Sequence, residues 1–144
     1  MNNMEHYYNL VEKVIKELGV DPVICRGDKE GQWNLNNGTA NIWVDVWKQE
    51  DKDYGYIQIM GPVSKVPHEK ELEFYREMME INHGLYACSI TKFENWIHVK
   101  SIRELEDLSE SEVLAMFDRV SYYVNYYDEY IKNKYFTKPV KRTE

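Results

Sequence analysis

Cysteine is scarce. The 144 residues hold only Cys25 and Cys88, too few and too far apart for a disulfide scaffold. Both lie in strand-like runs, V-I-C-R and Y-A-C-S-I, and read as reduced, packed thiols. The histidines His6, His68, His83 and His98 are dispersed, with no C-x-x-C and no H-E-x-x-H, so no metal site is predicted. His98 reads as a half-exposed strand residue. The G-x-S-x-G elbow, the Walker loop and G-x-G-x-x-G are all missing, which removes the usual apparatus of acyl transfer, nucleotide hydrolysis and dinucleotide chemistry. Asp51 and Asp53 lack the third oxygen ligand, the glycine and the distal glutamate of a calcium loop. No cofactor is expected, and the chain does not read as an enzyme.

Long apolar runs are absent too. No window approaches the roughly 18 residues of a membrane span. The opening M-N-N-M-E-H-Y-Y has no basic region followed by an apolar run, so it is not read as a secretory signal, and a cytoplasmic location without membrane partners is expected. Lys and Arg number 18 against 25 Asp and Glu, a net charge of −7 that works against binding a phosphate backbone and so against nucleic acid. The one basic cluster, at 138–142, is as easily a solvated terminus.

What is present points to an α+β protein. A hydrophobic fraction of 43% suffices for a core at this length, and one domain is expected over residues 1–136 with a flexible tail at 137–144. The clearest strand signal is A-N-I-W-V-D-V-W at 40–47. Its Ile42, Val44 and Val46 share one face, and Trp43, Asp45 and Trp47 share the other. The period of two predicts further strands at 23–26, at 33–35 (paired with 40–48 across Asn36-Asn37-Gly38), at 54–60, and at 85–92 with 96–101 around Phe93-Glu94-Asn95. Gly61-Pro62 reads as a break. One sheet face should be partly solvated, as in antiparallel meanders.

Three helices are predicted. The first, at 3–18, carries Met4, Tyr7, Tyr8, Val11, Val14, Ile15 and Leu18 on one stripe and stops at Gly19. The second, at 67–82, opens at Pro67 and has two adjacent stripes, Leu72, Tyr75, Met79 and Phe74, Met78, Ile81, together covering about half its circumference. That surplus can be met by another helix of the same domain or by a partner subunit. The third begins at a capping box, Ser109 with Glu112, and runs to about 134 with Val113, Met116, Phe117, Val120, Val124, Tyr127 and Ile131 inward. Tyr122, Tyr123, Tyr126 and Tyr130 line its flank, either as cover for the sheet edge or as a recognition surface. The carboxylates Glu69, Glu73, Glu77 and Glu80 read as a solvated face.

The features left over suit interaction rather than chemistry. Trp43 and Trp47 lie opposite the aliphatic face, where a second helical layer or a partner could cover them. The candidate interface residues are Trp43, Trp47, Phe74, Met78, Met79, Ile81, Tyr122, Tyr126 and Tyr130.

The order α-β-β-β-α-β-β-α, with five or six antiparallel strands, resembles the type III secretion chaperone-like (Tir chaperone-type) fold. Within it the chain is similar to the YbjN-like family of small acidic bacterial proteins, on the central strand at 38–47 and R-E-L-E-D-L-S-E-S-E-V at 103–113. The resemblance implies a non-enzymatic protein-binding role, chaperone-like or regulatory, often as a homodimer, with an extended client segment held on hydrophobic patches. No catalytic residue is carried over. Two other classes stay open: a small-molecule-binding module or uncharacterised enzyme with a pocket between sheet and helices, and an intracellular immunity or inhibitor protein whose acidic surface blocks a basic target.

Overall fold

The computed structural model of the chain describes residues 4–136. The tail at 137–144, its basic cluster and the first-helix residue Asn3 lie outside that range. The element order is α1 (Met4–Glu17), α2 (Pro22–Cys25), β1 (Gln32–Asn37), β2 (Ala40–Lys48), β3 (Gly55–Lys65), α3 (Glu71–His83), β4 (Ser89–Phe93), β5 (Trp96–Glu104) and α4 (Glu110–Ile131), followed by a π turn, Lys132–Phe136. The five strands form one antiparallel sheet in the order β1-β2-β3-β5-β4. Helix α4 lies across β2, β3 and β5, with α1 beside it.

That roof follows from the strand pattern. Ile42, Val44 and Val46 of β2 are buried, as are Ile57 and Ile59 of β3 and Val99 of β5. Val113, Phe117, Val120 and Val124 of α4 and Val11, Val14 and Ile15 of α1 meet them in one core. Gly19 ends α1 with φ +86°, while the amides of Gly19 and Val20 bond the carbonyls of Lys16 and Ile15 at 3.0 and 3.3 Å, the double closure that a left-handed residue permits. At the start of α4, the Ser109 hydroxyl accepts from the Glu112 amide and the Glu112 carboxylate accepts from the Ser109 amide.

Several boundaries differ from the sequence reading. The run at 23–26 is a helical turn rather than a strand, because the Asp21 carboxylate accepts from the Val23 amide at 3.0 Å and Pro22 pre-sets the first helical position. The sheet therefore has five strands, and Cys25 sits in α2. Cys88 precedes β4 rather than lying in it, since Ala87 takes a left-handed φ of +50° and the strand starts at Ser89, not Leu85. Both thiols are free. Helix α3 begins at Glu71 rather than Pro67. The Val66 amide is tied to the Asn95 carbonyl at 2.9 Å, and Lys70, at φ +60°, makes the entry. Strand β5 continues past Ser101 to Glu104, and α4 hands over to the π turn at Lys132.

The largest difference is at Gly61-Pro62, which β3 crosses without stopping. Pairing with β2 ends at Trp43↔Met60, so Pro62 lies where β3 has a strand on one side only, and a bulge between Pro62 and Ser64 absorbs the irregularity against β5. Gly61 marks close approach, not a break. A Cβ there would stand 2.8 Å from the Asn41 carbonyl oxygen and 2.9 Å from Val124 Cγ2, so glycine lets α4 sit down on the sheet.

Candidate protein-binding surface

Strand alternation puts a second set of side chains on the sheet face away from α1 and α4. The register aligns Trp43, Met60 and Lys100 in one row, Asp45, Gln58 and Ile102 in the next, and Trp47, Tyr56 and Glu104 in a third. Trp47 and Tyr56 rings lie 5.7 Å apart and Tyr54 meets Tyr56 edge-on at 5.9 Å, an offset and T-shaped cluster of the kind aromatic quadrupoles favour. Trp43 and Trp47 are half-buried, Ile102 is exposed, and beyond them Phe93 and Trp96 are exposed at the β4–β5 turn.

His98 stands in the row next to Trp43, its ring 5.8 Å from the indole. It is only 4% exposed rather than half-exposed, and its Nδ1 has no hydrogen-bond partner among the described residues. Burial, helped by the Lys100 charge, pushes its pKa below the ordinary histidine value, so the ring is neutral at neutral pH. Asp45 on the same face is pushed up by burial, with Gln32 pulling it partly back.

A second apolar area lies on α3. Phe74 and Met78 point into the core and offer nothing to a partner, a correction to the interface set. Ile81 is half-buried. The outward stripe is instead Leu72 and Met79, 66% and 72% exposed. Glu77 on the same helix is not a solvated acid. Its Oε1 accepts from Tyr135 Oη at 2.5 Å, and its Oε2 accepts from Tyr130 Oη and, at 3.0 Å, from Lys134 Nζ. Burial alone would raise its pKa, but hydrogen bonds from Tyr130, Tyr135 and Lys134, with the Lys134 charge, outweigh that and hold the carboxyl below its ordinary range. Tyr130 is thus spent on tethering α3 to the end of α4. Tyr122 and Tyr126 stay exposed, stacked at 6.1 Å and 19°.

Two open hollows flank the sheet. One, of about 520 Å³, lies between α1 and the 26–33 segment. On its wall Glu12 accepts from Arg26 at 2.7 and 2.8 Å and from Trp33 Nε1 at 2.9 Å. The Arg26 bond, against a smaller opposing effect of burial and with help from Trp33, keeps the Glu12 carboxyl low. The other hollow, of about 500 Å³, lies between β5 and α4. Among the described residues no group of three His, Cys, Asp or Glu side chains could hold a metal ion, and no helix is long and apolar enough to cross a membrane.

Sequence reasoning picked out Trp43 and Trp47 but not Tyr56, Met60 or Ile102. The signal for the first two was the same period of two in the 54–60 run. Leu72 stood in the over-wide stripe of α3 and was left out of the interface set.

This architecture defines an α+β protein of the secretion chaperone-like fold. The structure is similar to a chain in the crystal structure of the ExsC–ExsE complex, with a TM-score of 0.68 and 11% identity over 99% of this chain and 100% of that one. It is also similar to a chain of the HopA1–SchA chaperone–effector complex, with a TM-score of 0.61 and 15% identity over 85% of this chain and 93% of that one. No protein-family model and no curated protein matches the sequence. At such identities the likeness establishes the fold.

Proposed function

We propose that the chain is a non-enzymatic, chaperone-like protein that binds a client protein on the uncovered side of its sheet. The observation that carries this is the row structure there: Trp43, Trp47, Tyr56, Met60 and Ile102 stand together on the face away from α1 and α4. Contiguous aromatic and apolar area of this kind marks interaction surfaces, and Trp and Tyr are the residues that most often anchor them. The presence of a chaperone–effector complex among proteins of the same fold supports the reading. A cytoplasmic location and a YbjN-like affiliation belong to this proposal and rest on the sequence.

The test is affinity capture from the source cell with mass spectrometry, comparing wild type with the Trp43→Asp, Trp47→Asp double variant. Wild type is expected to retain a protein partner that the double variant loses while keeping its circular dichroism spectrum. Capture of no partner, or equal capture by both, overturns the reading. Repeating it at low and moderate salt separates an inhibitor of a basic target, whose binding would fade with screening, from apolar client capture.

Leu72 and Met79 form the proposed self-association surface. In sedimentation experiments the wild type is expected to run as a dimer, and Leu72→Glu with Met79→Glu to shift it to monomer, because each buried charge would face an apolar partner surface. Monomeric wild type at all concentrations would remove this assignment.

A further inference from the structure

The client-binding face carries a further, smaller hollow, of about 310 Å³, at the junction of β1 and β2. The register pairs Gln32 with Asp45 and Asn34 with Trp43, so all four side chains stand on this face, away from α1 and α4. Two features keep the space beside them open. The Trp43 ring reaches over β3 to His98 on β5, away from β1. On the other side the chain at 26–27 runs along β1, the Gly27 amide donating to the Gln32 carbonyl at 2.8 Å. Glycine adds no side chain there, and a Cβ would stand only 3.0 Å from Gln32 Cβ.

The charge of this hollow is not balanced. Its ionisable groups are Asp28, exposed at the rim, and Asp45, half-buried among the strands. Burial raises the Asp45 carboxyl and only the Gln32 hydrogen bond opposes that, so among the described residues no cation serves as its counter-ion. Arg26 lies on the α1 side, bound to Glu12, and Lys100 stands on β5 in the adjacent row, beyond Met60 of β3. A half-buried carboxylate with an indole beside it is one half of a guanidinium site, since a planar fork matches two carboxylate oxygens and its face lies flat on an aromatic ring. An extended chain following β2 would place its next side chain on the same side roughly 7 Å on, at Trp47.

We propose that this hollow takes an arginine side chain of the client protein, its guanidinium forked onto Asp45 and laid against Trp43, with Asp28 at the entrance and an apolar client residue two positions away on Trp47. The inference rests on the protein-binding reading above and specifies what the client presents. Lysine, a point charge, would gain the attraction without the fork. Charge complementarity of this sort chiefly sets which segment binds and how fast.

The test uses the full chain and a short, capped, labelled peptide of alternating valine and threonine with one central arginine flanked two positions away by valine. Its counterparts carry citrulline, which keeps the shape and loses the charge, or lysine, and free L-arginine serves as competitor. The arginine peptide is expected to bind at least about tenfold more tightly than the citrulline one, with the lysine peptide between them. Asp45→Asn should abolish the arginine preference and Asp28→Asn should reduce it, both with an unchanged circular dichroism spectrum. Glu129→Gln, which removes the same charge from the exposed side of α4, should leave it intact. No binding of the arginine peptide, equal binding of the arginine and citrulline peptides, or a preference that survives Asp45→Asn overturns the proposal. A preference lost equally in Glu129→Gln would mark general attraction to an acidic protein, and a lysine peptide as tight as the arginine one would remove the fork; either overturns it. Displacement by free arginine at the concentration where the unlabelled peptide competes would reassign the hollow to a small molecule and overturn it as well. Because the assay contains no client, its failure removes the arginine site alone, whereas failure of cell capture removes the protein-binding reading.

Discussion

Phe117→Ala is expected to lower the free energy of unfolding by about 3–5 kcal/mol, the range for deleting a fully buried aromatic ring. Phe117 is completely buried on α4, in the core it shares with Ile57, Ile59 and Val99 of the sheet. Removing the ring forfeits its transfer energy and leaves a cavity that a sheet and a helix, both rigid, close only in part. A loss of that size is a large fraction of the stability of an ordinary domain, roughly 5–15 kcal/mol. Urea unfolding followed by circular dichroism should show a lower midpoint at similar slope. Tyr122→Ala, on the exposed side of the same helix, is the control and should change stability by no more than about 0.5 kcal/mol. Equal midpoints for the two variants would mean that α4 does not roof the sheet.

Glu77→Ala is expected to be the next most damaging change, about 2 kcal/mol, because three donors on Tyr130, Tyr135 and Lys134 lose a common charged acceptor. The Glu77 side chain is 18% exposed, so solvent replaces that acceptor poorly. The effect carries a pH signature. The folded carboxyl lies below the ordinary glutamate value of 4.5, so its contribution is complete above the unfolded-state value and is lost as pH falls through the folded one. Wild type should therefore lose stability on acidification through that window by more than Glu77→Ala does. Parallel pH profiles would show that the carboxylate is not the tether. Phe74 meets the Tyr135 ring edge-on at 5.1 Å, so the end of α4 and α3 should loosen together, visible as faster amide exchange in both.

The helical roof and its aliphatic floor were legible because they depend on local periodicity. Ile42, Val44 and Val46 alternate against Trp43, Asp45 and Trp47 in the sequence, and they do so in space. The Ser109–Glu112 box was legible for the same reason, its partners being three residues apart. What failed needed a neighbour distant in sequence. Gly61-Pro62 has the look of punctuation, and only the Asn41 carbonyl and Val124 reveal why β3 passes through it. Glu77 sits in an acidic helix face, and the tyrosine hydroxyls that claim it arrive from more than fifty residues away. At 23–26 the period of two suggests a strand, whereas the Asp21 cap and Pro22 set a helical turn.

The placement of the four indoles has a practical consequence. Trp33 alone belongs to the roofed side, bonded to Glu12 of α1, while Trp43, Trp47 and Trp96 belong to the uncovered one. Intrinsic emission from this protein is thus dominated by groups outside the main core. A blue shift on adding a ligand would report what settles over those rings, and the same signal would be a poor thermometer of whether the helices beneath have melted.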